Sequence, residues 1–242
     1  MNIITNFDYA SYSKLFISSA FIGCSYYPLK KILNSYSNFE KLKDDKKMYV
    51  TKNIVKSTIL APLSVILSSQ LINLINNNDI NQLFFRYYGA IYVGNDLAGL
   101  LFVRNLPIST KLHHTSTILL YTILCAFDIN KYSICRMMTI YTIFSCYPFL
   151  VNMYLGIRYL KDKEMTIVKY DYNINTVIDI TRRLSYYTYI LSCSLNWTTH
   201  IYLFGNILYN KQINYLDIVY SCILIPIVKD DLILMDWLKK NK

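Results

Sequence analysis

The sequence predicts an all-α fold, a multi-pass membrane bundle of seven transmembrane helices, and three observations lead to this prediction. Hydrophobic residues make up 54% of the 242-residue chain and charged residues only 17%, whereas soluble domains carry about 25% charged residues. Seven windows are long and apolar enough for a helix to cross the ~30 Å core of a bilayer. Lysine and arginine are concentrated in alternate connections between these windows, as expected of cytosolic loops.

The seven windows are separated by short polar connections. They cover residues 14–29, 54–75, 84–103, 113–127, 132–160, 184–209 and 213–237. Strands are not expected, because runs of this length exceed ordinary strands and hairpin turn signals are absent. The alternative is a soluble all-α protein with buried helices, since the mean hydropathy is only +0.26. The placement of charge favours the membrane protein.

Basic residues indicate how the chain is oriented. The connection between the first two windows is rich in lysine and includes Lys52, whereas the next connection, 76–81, has no lysine or arginine. The same alternation continues to the end of the chain, which predicts a lumenal or extracellular N-terminus and a cytosolic C-terminus. The net charge of +10 is therefore read as a topology signal, and no nucleic-acid partner is expected.

Residues 1–48 are interpreted as an N-terminal transmembrane helix followed by a basic cytosolic loop, and residues 49–242 as a six-helix membrane domain. The first window is expected to stay as an anchor, because the residues before it lack the basic character of a signal peptide. Arg86, near the start of the third window, is expected to extend its charge towards the headgroups.

Ionisable residues inside membrane spans are costly and are therefore candidates for a functional site. Asp96 lies deep in the third window, and His113 and His114 open the fourth. The short connection makes these spans an antiparallel hairpin, so the carboxylate can approach the imidazoles. An aspartate beside a histidine orients the ring and raises its basicity, which suits general-base or nucleophilic catalysis. Equally, Asp96 and one histidine can satisfy each other as a packing contact between helices.

Neither a metal nor another cofactor is expected at the histidine pair. Successive residues of a helix point about 100° apart, so one helix cannot aim His113 and His114 squarely at one ion. His200, late in the sixth window, is expected to make a hydrogen bond at the interface or between helices rather than to catalyse. Asp230 and Asp231 are further polar groups at the edge of the last window.

Four other residues are candidates for substrate binding. Tyr88 and Tyr92 precede Asp96 by eight and four residues and share its helix face. Asn152 is a polar group at membrane depth in the fifth window. Lys111, on the predicted cytosolic side, offers positive charge to the phosphates of an incoming substrate.

Three segments carry a resemblance to a known family. Residues 87–124, YYGAIYVGNDLAGLLFVRNLPISTKLHHTSTILLYTIL, place an aspartate in an aromatic-rich helix before a His-His pair. CYPFLVNMYLGIRYL (146–160) and DDLILMDWLKK (230–240) are similar to later helices of the same pattern. Together they resemble the TLC family (TRAM, Lag1 and CLN8 homology) over roughly residues 50 to 242.

The resemblance implies a six-helix bundle around a lipid-sized cavity, usually in the endoplasmic reticulum, and a role in lipid metabolism. Ceramide synthases, the family's best-understood branch, are acyltransferases that join a fatty acyl-CoA to a sphingoid amine. Carried over, His113 and His114 match their His-His pair and Asp96 an aspartate common in the wider family. Ceramide synthases have further acidic residues in the region where this chain has Asn152. Here no aspartate follows Asn152 until Asp162. The non-synthase branches of the family fit at least as well.

Two functions stay open at this point. In the first, the chain transfers an acyl group from fatty acyl-CoA, as a co-substrate, to the nitrogen or oxygen of a lipid, and one histidine acts as base or acyl acceptor. In the second, the same groups recognise a lipid headgroup without catalysis. Candidate partners are membrane lipids, fatty acyl-CoA and a second copy of the chain in a homodimer. The final lysines, Lys239, Lys240 and Lys242, resemble a dilysine retrieval signal of the endoplasmic reticulum.

Overall fold

The computed structural model describes residues 8–76, 78–160, 171–211 and 213–240, with side chains from residue 174 onwards in the third range. These residues form ten α-helices and one short 3₁₀ turn, without a strand. The helices are α1 (Tyr9–Leu33), α2 (Ser37–Glu40), α3 (Asp44–Ser68), α4 (Leu71–Ile75), α5 (Gln82–Phe102), α6 (Ile108–Ala126), α7 (Ser133–Cys146), α8 (Phe149–Ile157), α9 (Asp171–Tyr209) and α10 (Tyr215–Lys240). The all-α prediction is confirmed.

Side chains and prolines define several helix ends. Asp8 caps α1 by accepting a hydrogen bond from the backbone N–H of Ser11 at 2.9 Å, and Asn81 caps α5 in the same way through Phe84 at 3.2 Å. Such caps satisfy backbone donors that have no partner inside the helix. Pro107 directly precedes α6, where a fixed φ suits the start of a helix.

The helices form a closed ring. Its order in space is α3, α5, α6, α10, α9 and α8, and α8 packs back against α3. Inside the ring lies α7, which packs against α3, α5, α6, α9 and α10. It is buried along most of its length. Helix α1 packs outside the ring, mainly against α5. Apart from the short helices α2 and α4, the arrangement therefore consists of six ring helices, one central helix and one outer helix.

The centre of the ring is filled at one end only. The predicted continuous segment 132–160 is divided in the structure into α7 and α8, which meet at a bend of 42°. Pro148 stands at this break, where its missing N–H and its ring disfavour a continuous helix. Beyond the break the chain leaves the centre and becomes part of the wall as α8, so the other end of the ring encloses a cavity.

Helices α1 and α5 approach closely at a glycine. A Cβ atom on Gly94 would overlap with Ser18 Oγ and lie 3.3 Å from the backbone nitrogen of Ser19. Ser18 Oγ also donates a hydrogen bond to the carbonyl oxygen of Ala90 at 2.9 Å. Small residues and hydroxyl groups at a helix crossing bring two backbones together in this way.

Arg86 is buried, contrary to the expectation that it extends towards headgroups. Its side chain lies 3.3 Å from a carboxylate oxygen of Asp8 and donates to the carbonyl oxygens of Leu124 and Phe127 at 3.2 and 3.0 Å. The guanidinium therefore ties the start of α1 and the end of α6 to the start of α5. The planar fork of arginine suits such multiple acceptors.

Within the described part of the chain, one helix, α3, is long and apolar enough to cross a membrane by its composition, with a mean hydropathy of 1.3 over its best window. The bent pair α7–α8 is a second candidate if it counts as one span. The other long helices contain many tyrosine, serine, threonine and charged residues, which lower their mean hydropathy. Composition alone therefore supports fewer spans than the seven that the sequence windows predict.

Candidate functional site

A network of ionisable groups surrounds Asp96 in the interior of the ring. Asp96, on α5, is completely buried. Its Oδ1 atom lies 2.5 Å from Nζ of Lys56 on α3, and its Oδ2 atom accepts a hydrogen bond from Thr117 Oγ1 on α6 at 2.8 Å. A buried carboxylate is stable only when such partners replace its hydration. Asp96 therefore joins three helices of the ring through charge and hydrogen bonding.

His114 lies between this carboxylate and a second lysine. Its Nδ1 atom is 3.0 Å from Asp96 Oδ1, at contact distance but without the alignment of a hydrogen bond. On the other side of the imidazole, the Nε2 atom of His114 lies 3.4 Å from Nζ of Lys52. The predicted approach of Asp96 to the histidine pair is thus present at His114. Both imidazole nitrogens of this residue face an ionisable side chain.

His113 has a different partner. Its Nδ1 atom lies 3.5 Å from Oδ2 of Asp230, on α10, and the two side chains are 13% and 18% exposed. The rings of His113 and His114 are nearly perpendicular, with centroids 5.7 Å apart, as expected of neighbouring residues on one helix. The two histidines consequently belong to two separate carboxylate pairs, one on α5 and one on α10.

These groups line a cavity of about 350 Å³ inside the ring, within the usual size range of ligand sites. Both histidines, Lys52 and Lys56 lie in its wall. The wall also contains apolar and aromatic side chains from all ring helices and from the last turns of α7, among them Tyr92, Tyr141, Phe144, Val151, Leu155, Tyr189, Leu234 and Trp237. The cavity combines an apolar lining with a charged cluster on one side.

The four candidates for substrate binding are placed differently. Tyr92 and Asn152 line the cavity, and the ring of Tyr92 lies 5.9 Å from Nζ of Lys56. Tyr88 packs instead against the hydrophobic core on the other side of α7 and is not part of the cavity wall. Lys111 is exposed and outside the wall.

Arg158 supplies a positive charge to the cavity. It follows α8, lines the cavity and stacks on Trp237 and Tyr159, with its guanidinium carbon 4.5 and 4.8 Å from the two ring centroids. Its Nη2 atom donates to the Tyr159 hydroxyl at 3.1 Å, while its buried Nε atom has no partner among the described residues. The positive charge of Arg158 thus lies at the cavity wall.

The spacing around Asp96 would allow a metal, but the charges do not favour one. One donor atom from each of Asp96, His113 and His114 lies within 4.8 Å of the others. Lys56 occupies the Asp96 oxygen at 2.5 Å, and Lys52 stands beside His114. A divalent cation would have to displace the Lys56 ammonium group from its carboxylate, which the attraction within this ion pair opposes. The geometry of this cluster suits proton transfer better than metal binding.

His200 makes the hydrogen bond between helices that the sequence predicts. Its Nδ1 and Nε2 atoms lie 2.9 Å from the carbonyl oxygen of Asn196 and 2.7 Å from the hydroxyl of Tyr220 on α10. The residue is buried and lies outside the cavity wall. It joins α9 to α10.

Sequence reasoning missed the two lysines of the cluster. Lys52 counted as a loop lysine because the apolar window begins after it, and Lys56 lies inside that window without having been singled out. The rule that flags Asp96, an ionisable residue within a span, also applies to Lys56. The pairing of His113 with Asp230 has no such signal, because the two residues are far apart in the sequence. Asp162 and the terminal residues 241–242 of the retrieval signal lie outside the described residues.

Comparisons with known proteins do not identify the chain. No protein-family model, no curated protein and no solved structure matches it. The likeness to the TLC family therefore rests on the sequence segments quoted above.

Proposed function

We propose that this chain is a multi-pass membrane protein of lipid metabolism that binds a lipid in the cavity and transfers an acyl group through His113. One observation carries the proposal. His113 reaches the cavity, and its Nδ1 atom lies 3.5 Å from the carboxylate of Asp230, within ion-pair distance but without hydrogen-bond geometry. A carboxylate at one imidazole nitrogen orients the ring so that the other nitrogen acts as base or nucleophile.

The outer surface of the bundle supports the membrane assignment. Along α9, exposed apolar side chains recur every three or four residues: Val177, Ile180, Leu184, Tyr187, Leu191 and Leu195. The opposite, buried face carries Thr181, Ser185, Ser192 and Asn196 among apolar residues such as Ile178 and Cys193. An exposed face that is apolar and a buried face that includes hydroxyl and amide groups depart from the pattern of a water-soluble protein and suit a helix whose outer face contacts lipid. The polar residues on the buried face lower the mean hydropathy of α9, although its outer face is apolar.

The proposed topology agrees with the position of the cavity. With a lumenal N-terminus and seven spans (α1, α3, α5, α6, α7–α8, α9 and α10), the cavity lies at the cytosolic side. It is lined there by the N-terminal parts of α3 and α6 and the C-terminal part of α10. Fatty acyl-CoA is a cytosolic acyl donor. The resemblance to the TLC family supports an endoplasmic reticulum membrane.

The reaction follows from these positions. His113 Nε2 attacks the thioester carbonyl of the acyl-CoA, and the thiolate of coenzyme A leaves. The acyl group is then carried on the imidazole until an amine or hydroxyl group of a lipid displaces it. Asp230 stabilises the imidazolium that forms in this step. Arg158 provides charge for the phosphates of the donor, the role that the sequence gave to Lys111.

The alternative is lipid binding without catalysis, and one observation favours it. The two oxygens of Asp96 are already engaged by Lys56, Thr117 and His114. A cluster satisfied in this way can serve as a packing contact between helices. In that case the cavity recognises a headgroup, and His113 is one of its polar contacts.

Incubation of the purified chain with an alkyne-tagged palmitoyl-CoA separates the two functions. Intact-mass analysis should show one acyl group on the native chain and none on His113→Gln. Leu119→Ala, on the outer face of the same helix, is the matched control and should be acylated like the native chain. Absence of acylation in the native chain, together with equal lipid co-purification by both variants, would instead support non-catalytic binding. Acylation of His113→Gln at the native level would exclude His113 as the acyl carrier.

A further inference from the structure

Lys52 is a buried amine that the proposed acyl transfer does not use. It lies on α3, one helical turn before Lys56, is 4% exposed and forms part of the cavity wall. Lys56 has the carboxylate of Asp96 as its partner at 2.5 Å. Among the described residues no carboxylate lies within ion-pair distance of Lys52, whose polar neighbour is His114 Nε2 at 3.4 Å.

The three side chains stand in the order of a nucleophile relay. Asp96 Oδ1 is 3.0 Å from His114 Nδ1, and His114 Nε2 is 3.4 Å from Lys52 Nζ. Catalytic triads on unrelated folds place a carboxylate beside one imidazole nitrogen and a nucleophile beside the other, and these three side chains follow the same order, although the Asp96 contact lacks hydrogen-bond alignment. Here the position of the nucleophile is occupied by an amine.

The surroundings favour the uncharged form of this amine. A second ammonium group, on Lys56, lies one turn away, and its charge already balances Asp96. A lysine that is desolvated beside another cation is the usual form of a nucleophilic lysine. Gly99 also leaves room for the Lys52 side chain, because a Cβ atom at this position would lie only 3.1 Å from Lys52 Cε.

We propose that Lys52 captures the carbonyl group of a long-chain aldehyde or ketone as a Schiff base. The Nζ lone pair forms a bond to the carbonyl carbon, and His114 Nε2 accepts a proton from Nζ. His114 returns this proton to the carbonyl oxygen, which gives the carbinolamine. A second proton from Nζ follows the same route to the carbinolamine hydroxyl, water leaves, and the C=N bond forms without a change in oxidation state. An acyl donor at Lys52 would give a stable amide and end the cycle, whereas an imine is released again by hydrolysis.

The lipid character of this ligand rests on the proposed function, since it requires that the cavity receive an alkyl chain. The chemistry at Lys52 is independent of His113. A Schiff base is trapped by sodium borohydride, which supplies the hydride that converts the imine to a secondary amine. The test is therefore to incubate the full-length purified chain with hexadecanal and borohydride, followed by intact-mass analysis and peptide mapping.

The expected result is one alkyl group for each chain, mapped to Lys52. Lys52→Arg, which keeps the charge, should lose the adduct, while Lys43→Arg, an exposed lysine before the same helix, should keep it. His114→Gln should slow adduct formation by about 10²-fold, the usual contribution of general acid–base catalysis. Leu119→Ala, on the outer face of α6, should trap the aldehyde normally. Trapping at Lys52 by a native chain that palmitoyl-CoA does not acylate would distinguish this proposal from the acyl transfer.

The peptide map of the native chain decides the proposal even if the Lys52 variant does not fold. An adduct spread over exposed lysines, or mapped to Lys56, would overturn the assignment of Lys52. The same would follow if Lys52→Arg formed the adduct at the native rate.

Discussion

Replacing Asp96 with asparagine removes the charge that balances Lys56 in the interior of the ring. The side chain keeps its size, but the Lys56 ammonium, whose Nζ is 2.5 Å from the carboxylate, loses its counter-charge. Its side chain is only 9% exposed, so water does not replace the carboxylate. Breaking one partner of a buried ion pair costs about 3–5 kcal/mol. We expect a loss of this size in the free energy of unfolding.

The loss is measured as a shift in thermal unfolding of the detergent-purified chain. For a protein of this length each kcal/mol corresponds to about 2–4 °C, so Asp96→Asn should lower Tm by roughly 6–20 °C. The double variant Asp96→Asn with Lys56→Met removes both charges and should recover much of the loss. Because the two residues touch, the single effects should not add.

Two results would refute this account of the pair. A shift of less than about 2 °C for Asp96→Asn would mean that the ammonium finds water or another partner. Strict additivity of the two single variants would mean that the charges do not interact. The outcome also bears on catalysis, because a network that holds the helices together constrains the position of His114.

Three further predictions concern the frame around the site. Gly94→Ala should destabilise the chain by about 1–3 kcal/mol through overpacking against α1. Gly205 has open space around it, so Gly205→Ala should stabilise the chain by up to about 1 kcal/mol. Thermal unfolding of each variant against the native chain measures both effects. Arg86→Met should cost about 1.5–3 kcal/mol in the same assay, because a buried charged donor is lost. The hydrogen bond from Lys30 lowers the pKa of Asp44, so the stability difference between Lys30→Met and the native chain should vanish as the pH falls well below 3.8.

The sign of the pH effect follows from the lowered pKa of Asp44. A carboxyl group whose folded-state pKa is depressed contributes stability above its unfolded-state value and loses that contribution as the pH falls through the folded-state value. The side chain of Asp44 is 73% exposed, so the effect is small because solvent screens the pair. If the difference in unfolding free energy between the native chain and Lys30→Met grew as the pH fell, this assignment would be contradicted.

Much of the central hairpin could be predicted from the sequence. The windows 84–103 and 113–127 correspond closely to α5 and α6, because a long apolar periodic segment with a short connection leaves few alternatives. The approach of Asp96 to the histidine pair follows from that hairpin. The hairpin alone does not predict that Asp96 meets His114 rather than His113. That choice depends on the rotation of α6 about its axis, which is set by how α6 packs against its neighbours.

The charged partners on other helices could not be predicted from the same pattern. Helix α3 begins at Asp44, well before its apolar window, so hydropathy assigned Lys52 to a loop. The contact between His113 and Asp230 depends on α6 and α10 being neighbours in the ring. Sequence spacing carries no information on that order. Counting Lys52 as a loop lysine for the predicted topology therefore concealed part of the site.

The bend between α7 and α8 has a consequence for selectivity. The inner end of the cavity is closed by side chains from the last turns of α7, such as Tyr141 and Phe144. The depth available to a chain-like ligand is therefore set by where α7 stops, at Cys146. A proline placed one turn earlier or later would move this floor by about 5.4 Å. Under the proposed function, the position of this single proline sets the length of the alkyl chain that the cavity accepts.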